Sequence, residues 1–301
     1  MSLILDKINY VYSEGTAYQI QALKDVNLEI KDGQFIGVIG HTGSGKSTLI
    51  QHLNGLVKAT SGTIYFNGQD IYDEDFDLRE LRNRVGLVFQ YPEHQLFETT
   101  IFDDVCFGPK NQGLSKEEAG LRAFEALRSV GLPEELYYQS PFDLSGGQKR
   151  RVAIAGVLAM KPEVLILDEP TSGLDPGERV RFRNLLSEFA KDRIVVISTH
   201  IVSDVEYIAN QNAIMKDGKI IENDTTEQLV RLVDGKIWEC KIPSSDLVKW
   251  ERALKLINLR NEADGTTSIR YLSDQAETPD SVSAVPRLED LYLWLFPQEG
   301  E

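Results

Sequence analysis

A glycine-rich stretch near the amino terminus has the residue types and spacing of a phosphate-binding loop. An apolar run at residues 35–39 precedes it and a helical pattern at residues 47–53 follows it, which is the context such a loop requires. Glycines let backbone N–H groups curl around phosphates, Lys46 would neutralise the β and γ phosphates, and the Ser47 hydroxyl would ligate Mg²⁺. The stretch predicts ATP and Mg²⁺ as cofactors, bound by Gly40, His41, Thr42, Gly43, Ser44, Gly45, Lys46, Ser47 and Thr48.

Two adjacent carboxylates follow a second apolar run, at residues 164–167. Ligands of open α/β sheets bind at the carboxyl ends of the strands, which is where Asp168 and Glu169 would lie. Asp168 would hold Mg²⁺ through water, and Glu169 would polarise the attacking water. A strand that ends in two acids is common and is usually only solvated, so this interpretation depends on the upstream loop.

A third motif, Leu144 followed by Ser145, Gly146, Gly147 and Gln148, precedes a basic helix. A Ser-Gly-Gly turn at a helix amino terminus presents free N–H groups and the positive end of the helix dipole to an anion. Such a site suits the γ-phosphate of a nucleotide. We refer to residues 145–148 as the signature turn and to residues 40–47 as the phosphate loop.

In this order along the chain, the three motifs resemble those of the ATP-binding-cassette ATPases. The resemblance implies an enzyme that hydrolyses ATP to drive transport through transmembrane subunits in other chains. It also implies that two cassettes, identical or homologous, pair head to tail. Each ATP would then lie between the phosphate loop of one cassette and the signature turn of the other.

The same resemblance implies roles for four further residues. Tyr12 would stack on adenine, and His200 would contact the γ-phosphate. Gln90 would couple the γ-phosphate and Mg²⁺ to the transmembrane partner. Asp175 would communicate across the dimer. The implied catalytic residues are Glu169, His200 and Gln90, and the implied metal ligands are Ser47, Gln90 and Asp168.

Other interpretations of these residues stay open. Tyr12 could be an ordinary strand aromatic, with Tyr10 or Tyr18 stacking in its place. Gln90 could be a polar strand terminus. A single histidine is more often a structural residue than a catalytic one, although His200 follows an apolar run at the ligand-binding end of the predicted sheet.

Residues 1 to about 177 resemble the energy-coupling-factor type of vitamin and metal importer, specifically the second of its two paired ATPases. The resemblance lies in residues 39–49, 51–55 and 90–98. In this family the last segment faces the coupling helix of the membrane subunit, and Tyr91, Leu96 and Phe97 would supply apolar contact area. Residues 179–186, 198–207 and the tail to residue 301 are more similar to ATPases of multidrug or peptide exporters. An importer ATPase is the leading hypothesis, and an exporter ATPase is the alternative.

Composition excludes several other classes. The formal net charge of −15 argues against a nucleic-acid partner, because phosphate-backbone binding needs clustered Lys and Arg. Chromosome-organising cassettes are also excluded, since no heptad-rich insertion separates Lys46 from Leu144. No apolar run approaches the roughly 20 residues that span a bilayer. The family resemblance then implies a peripheral protein on the cytoplasmic face of the cell membrane. Cys106 and Cys240 lack metal-ligand spacing and are expected to be small buried residues.

The apolar pattern predicts an α/β fold, with a P-loop NTPase sheet core, an antiparallel β subdomain and a helical signature subdomain. Alternation before residue 33 predicts antiparallel strands, and residues 76–141 have helical periodicity. Continuous apolar runs at residues 164–167 and 194–197 predict buried parallel strands. After residue 235 the pattern predicts strands at 237–242 and 267–272 and a helix at 288–296. We therefore predict an ATPase domain at residues 1–235 and a small αβ accessory domain at residues 236–301.

Overall fold

A computed structural model describes residues 2–171, 174–191 and 193–297, apart from the side chain of Glu93. The chain divides into two compact units, residues 1–223 and 224–301. The boundary predicted from the sequence, between residues 235 and 236, lies further along the chain. The difference arises because helix α7 (Thr226–Val230) packs on helix α9 (Leu288–Leu295), which assigns the segment before residue 236 to the second unit.

The first unit is built on a six-stranded sheet with the order β10-β9-β3-β8-β7-β6. Its strands are β3 (Phe35–Ile39), β6 (Val85–Val88), β7 (Val164–Asp168), β8 (Ile194–Thr199), β9 (Gln211–Lys216) and β10 (Lys219–Asp224). β3 pairs with β8 and β9, and β7 pairs with β6 and β8, all in parallel. β3, β7 and β8 are buried along their whole length, as their continuous apolar runs predict. Their carboxyl ends therefore bring the phosphate loop, Asp168 and His200 to one edge of the sheet.

A four-stranded antiparallel sheet, with the order β2-β1-β4-β5, packs into the same core. Its strands are β1 (Ser2–Tyr12), β2 (Ile20–Lys31), β4 (Ser61–Phe66) and β5 (Gln69–Asp70). Ile8 of β1 and Leu49 belong to one apolar cluster with Ile166 of β7. The predicted antiparallel strands are confirmed, and β1 ends at Tyr12.

The helices of the first unit are α1 (Lys46–Leu53), α2 (Leu78–Arg84), α3 (Ile101–Asn111), α4 (Lys116–Ser129), α5 (Gly146–Ala159) and α6 (Pro176–Phe189). α3, α4 and α5 pack on one another and form the predicted helical subdomain, in which Cys106 is buried. α5 begins at a capping box: Ser145 Oγ accepts from the Gln148 N–H, and Gln148 Oε1 accepts from the Ser145 N–H. In the described part of the chain, no helix combines the length and apolar character that a bilayer crossing needs.

The second unit contains an antiparallel sheet with the order β12-β13-β11-β14, together with α7, α8 and α9. The remaining bounds are β11 (Ile237–Pro243), α8 (Leu247–Ala253), β12 (Lys255–Asn261), β13 (Thr266–Leu272) and β14 (Val282–Ser283). Buried Cys240 and Tyr271 pack with Trp250 of α8 on one face of this sheet. β11, β13 and α9 match the prediction, whereas β12, α8 and the two-residue β14 were not predicted. β12 was not predicted because its last four residues are all exposed, so it lacks the apolar and polar alternation that marks a strand.

A buried ion pair fastens α9 to this sheet. Arg270 of β13 donates from Nε and Nη2 to the two carboxylate oxygens of Asp290, at 3.0 and 2.5 Å, and from Nη1 to Glu239. Arg270 is 8% exposed and Asp290 is 1% exposed. Removing the guanidinium would leave a carboxylate buried without its counter-charge, which typically costs about 3–5 kcal/mol.

We therefore expect Arg270→Met to destabilise the second unit by about 3 kcal/mol or more, while ATP binding by the first unit is retained. Glu239→Gln is the matched control, because the Glu239 side chain is half exposed and its pair should contribute about 1 kcal/mol or less. Thermal unfolding of the full chain, with ATP binding measured in parallel, checks both. Equal losses of stability in the two variants would contradict this role of the buried pair.

Candidate nucleotide-binding site

At two of its glycines, the backbone of the phosphate loop lies close to carbonyl oxygens of neighbouring strands. A Cβ atom placed on Gly40 would lie 2.5 Å from the Met215 carbonyl oxygen. Gly45 has φ of 102°, and a Cβ atom there would lie 2.7 Å from the Ala22 carbonyl oxygen. Only glycine fits this path, because the backbone conformation at Gly45 and both close approaches exclude a side chain. The sequence thus shapes a narrow backbone cradle between β3 and α1.

Lys46 opens α1, and its side chain is 5% exposed. Its Nζ donates to the carbonyl oxygens of Gly40 and His41, at 2.8 and 3.1 Å, and lies 3.4 Å from Glu169 Oε1. A buried ammonium needs such acceptors, since its desolvation is otherwise very costly. The same charge can be shared with a phosphate oxygen that enters the loop.

Asp168 ends β7 beside the first turn of α1. The Ser198 hydroxyl of β8 donates to Asp168 Oδ1 at 2.5 Å. Burial raises the pKa of Asp168 above its ordinary value, and the Ser198 and Ser47 hydroxyl groups partly oppose the rise. Serine and aspartate oxygens therefore lie together where the sequence predicts a Mg²⁺ site.

Glu169 is 7% exposed and lies between two basic side chains. One carboxylate oxygen faces Lys46, and the other is hydrogen-bonded to His200 Nδ1. The backbone N–H of Glu169 donates to the backbone and side-chain oxygens of Ser198, both at 3.1 Å. The structure therefore brings together three residues, Lys46, Glu169 and His200, that are far apart in the sequence.

An open cleft of about 540 Å³ contains this cluster. Of the predicted site residues, the cleft is lined by Tyr12, Thr42, Gly43, Gly45, Lys46, Ser47, Thr48, Gln90, Glu169 and His200. Gly40 and Ser44 are the buried residues of the loop, apart from Lys46, and His41 is held by a contact of its Nδ1 with the Thr42 carbonyl oxygen. One continuous cavity thus reaches from Tyr12 to Glu169.

Three tyrosines were candidates for stacking on a base, and the structure places one of them in the cleft. Tyr12 lines it and is 40% exposed. Tyr10 lies behind Tyr12 in an edge-to-face contact, with 4.8 Å between ring centroids, and contacts the buried His52 in the same way. Tyr18 is 84% exposed and does not line the cleft. The geometry therefore favours Tyr12.

A hydrogen bond connects Tyr12 to the phosphate-binding helix. Its hydroxyl lies 3.0 Å from Thr48 Oγ1. Thr48 is buried in α1, two residues after Lys46. The Tyr12 ring and the first turn of α1 are thus held in one arrangement.

The signature turn and Asp175 do not line this cleft within the described residues. Gly146 has open space around its Cα, and Ser145 is exposed at the start of α5. Asp175 is exposed and caps α6, where its Oδ1 accepts from the Glu178 N–H at 2.8 Å. These predicted residues therefore lie apart from the phosphate loop of their own chain.

Sequence reasoning missed several residues of the cleft. Ala22 and Lys24 of β2 line it, as do Asp217 and Gly218 in the turn between β9 and β10. The Lys24 N–H donates to the Gly218 carbonyl oxygen at 2.8 Å, which ties the two segments together. The Asp-Gly pair is a strong hairpin signal that could have located the turn. Nothing in the sequence indicates that it reaches the cleft.

The segment after Gln90 presents aromatic side chains on the surface. Tyr91 is 53% exposed and Phe97 is 58% exposed, and Phe97 packs edge-to-face on the part-exposed Phe107 of α3. Leu96, which the sequence grouped with them, is buried instead. The exposed aromatic side chains after Gln90 are therefore Tyr91 and Phe97, and Phe107 of α3 extends the apolar surface at Phe97.

Comparison with protein families matches residues 23–172 to the family described as "ABC transporter". The "Energy-coupling factor transporter ATP-binding protein EcfA2" of Caldanaerobacter subterraneus subsp. tengcongensis is 51% identical, over 77% of this chain and 82% of that protein. The protein of the same name from Clostridioides difficile is 48% identical over 259 residues, 85% of this chain and 89% of that protein. An alignment of that length extends well past residue 177, so the importer likeness is not limited to the first part of the chain.

The similar solved structures are also ABC transporter proteins. The structure of cbiO1 from Clostridium perfringens, part of the ABC transporter complex cbiONQ, has a TM-score of 0.67 and 39% identity, and the match covers 77% of this chain and 93% of that one. The dimeric bacterial ABC transporter cassette MJ0796 has a TM-score of 0.67 and 32% identity, over 74% and 98% of the two chains. A bacterial Atm1-family ABC exporter with ATP bound has a TM-score of 0.65 but only 25% identity, over 77% and 40%.

The phosphate-binding cradle, the paired carboxylates and the signature turn thus occur in a chain about half identical to several transporter ATPases over most of its length. The chain belongs to the ABC transporter ATPases, among the energy-coupling factor ATP-binding proteins.

Proposed function

We propose that this chain is the ATP-hydrolysing subunit of an energy-coupling factor importer and powers the uptake of a vitamin or a metal ion. The observation that carries the proposal is the convergence of Lys46, Glu169 and His200 in one cleft, with Asp168 directly before Glu169 at the end of β7. The names of the relatives support the importer assignment. An exporter ATPase is less well supported, because the exporter structure is only 25% identical.

Each group in the cleft has a defined task in this proposal. Lys46 neutralises the β and γ phosphates, and an incoming γ-phosphate competes with Glu169 for its ammonium group. Glu169 orients the attacking water and accepts its proton. His200 holds the Glu169 carboxylate in position and lies where it can contact the γ-phosphate. Burial of Lys46 and Glu169 strengthens these electrostatic interactions.

The oxygen donors at the phosphate end suit Mg²⁺. Ser47 and Gln90 line the cleft, and Asp168 lies near Ser47 at the end of β7. Hard oxygen ligands such as these are the ones that Mg²⁺ prefers, and it usually binds to only one or two carboxylates together with substrate phosphates. Bound Mg²⁺ would neutralise charge that develops on the phosphates. In the described residues, no three His, Cys, Asp or Glu side chains cluster as an alternative metal site.

A second cassette would complete the site. Ser145, Gly146 and Asp175 are exposed, and the whole signature turn lies outside the cleft of its own chain, which suits a head-to-tail pair in which these residues act on the partner's ATP. The dimeric cassette among the similar structures supports such pairing. The second cassette is a copy of this chain or a homologue.

The surface formed by Tyr91, Phe97 and Phe107 is the proposed contact with a transmembrane subunit at the cytoplasmic face of the membrane. Tyr91 directly follows Gln90, so a helix docked on Tyr91 would be connected through Gln90 to the phosphate end of the cleft. Clustered exposed aromatic side chains are typical of protein-binding surfaces. Apolar burial of a partner helix against such a surface is a common recognition mode.

Glu169→Gln is expected to retain ATP binding and to lose about 99% or more of ATP turnover, because an amide cannot accept the proton from water. Phosphate release and binding of a fluorescent ATP analogue measure the two properties. Glu188→Gln, an exposed position on α6, is the matched control and should behave as wild type. Turnover by Glu169→Gln at a rate near that of wild type would remove Glu169 from this role.

Tyr12→Ala is expected to weaken ATP binding by about tenfold, since stacking of a base on an aromatic ring contributes about 1–3 kcal/mol. Tyr12→Phe keeps the ring and loses only the contact with Thr48, which contributes about 1 kcal/mol, so it should weaken binding by about fivefold. Tyr18→Ala is the control and should bind ATP as wild type does. The assignment fails if Tyr18→Ala, and not Tyr12→Ala, lowers affinity.

Phe97→Asp is expected to abolish co-purification with the transmembrane subunit, because a carboxylate would have to be buried in an apolar contact. ATP binding should be unchanged. Leu56→Asp places the same charge at another half-exposed apolar residue and should leave the complex intact. Recovery of an intact complex with Phe97→Asp would exclude this surface as the contact.

A further inference from the structure

The loop that leaves β7 has an unfavourable backbone conformation at the residue that carries the chemistry. Glu169 has φ of 47°, in the left-handed region that L-amino acids rarely adopt. Such a conformation persists only where the surrounding structure enforces it. The hydrogen bonds from the Glu169 N–H to Ser198 fix one side of the peptide chain. The following residues must be fixed as well if the carboxylate is to keep its position.

Arg150 of α5 fixes the next peptide group. Its Nη1 donates to the Pro170 carbonyl oxygen at 3.2 Å, and the arginine is 7% exposed. Pro170 directly follows Glu169, so this hydrogen bond acts on the backbone one residue beyond the catalytic carboxylate. A buried guanidinium that donates to a carbonyl is a strong, directional constraint.

The opposite side of the same loop is held by the segment after β8. Thr171 Oγ1 donates to a carboxylate oxygen of Asp204, and both residues are 1% exposed. Asp204 ends the short turn that follows His200. The turn at residues 169–171 is thus fastened to α5 on one side and to the His200 loop on the other.

Arg150 belongs to the same helix as the signature turn. α5 is capped by Ser145, and Arg150 lies little more than one helical turn further on. A displacement of the signature turn therefore moves Arg150 and, through it, the Pro170 carbonyl. We propose that Arg150 is a positioning residue that conveys the docking of the signature turn on the partner's ATP to Glu169 of the same chain. This inference rests on the proposed pairing of two cassettes.

The test compares Arg150→Met and Arg150→Lys with Arg151→Met, in the full chain together with the cassette with which it pairs. Arg151 belongs to the same helix, but its side chain donates to the Gly131 carbonyl oxygen at 3.0 Å, away from the Glu169 loop. Arg150→Met should bind a fluorescent ATP analogue and pair in the presence of ATP as wild type does. Its kcat should fall by about tenfold or more, because small displacements of a catalytic group have effects of that size. Arg150→Lys, which keeps a cationic donor, should recover most of the loss, and Arg151→Met should retain most of the wild-type kcat.

A second pair of variants examines the other side of the loop. Thr171→Val should lower kcat without changing ATP affinity, and Thr171→Ser should restore it. Thermal unfolding of every variant separates these effects from a loss of folded protein. The proposal is overturned if Arg150→Met keeps a kcat near wild type, if Arg150→Lys does not recover it, or if pairing is lost together with turnover. A wild-type chain that fails to hydrolyse ATP would instead refute the proposed function.

Discussion

The buried ammonium group of Lys46 is the interaction on which the rest of the cleft depends. A charge that is 95% removed from solvent must be surrounded by acceptors, and this one has two carbonyl oxygens of the phosphate loop and the Glu169 carboxylate. Those acceptors come from the ends of β3 and β7, which lie on either side of β8 in the sheet. The parallel sheet therefore brings the phosphate loop and the Glu169 carboxylate to the same cation, the Lys46 ammonium group.

The second constraint is the shape of the backbone at Glu169. Its left-handed conformation is enforced by Ser198 on one side and by Arg150 and Asp204 through the two residues that follow. These contacts come from β8, α5 and the turn after His200. The position of the proposed catalytic carboxylate therefore depends on the position of α5, whose first turn faces the partner's nucleotide in the proposed dimer. The arrangement gives a physical reason for turnover to depend on pairing.

Much of the fold and of the candidate site could be predicted from the sequence. The phosphate loop and the continuous apolar strands are local patterns, since each is specified by residues that are adjacent in the chain, and the predicted parallel strands at residues 164–167 and 194–197 are confirmed. Contacts between distant segments were not predictable. The hydrogen bond of Tyr12 with Thr48, the Asp217–Gly218 turn at the cleft and the burial of Leu96 all depend on how the sheets pack. In the second unit, β12 lacks alternation, so its pairing with β13 is visible only in the fold.

The central claim is that ATP is held between Lys46 of one cassette and the signature turn of another, with Glu169 beside the γ-phosphate. A crystal structure of the Glu169→Gln chain, paired with its cassette partner and bound to Mg²⁺ and ATP, tests it most directly. The account predicts a γ-phosphate within hydrogen-bond distance of Lys46 Nζ and of the signature turn across the interface, with residue 169 next to it. A nucleotide bound outside the cleft, or a γ-phosphate that contacts no residue of the second cassette, would contradict it.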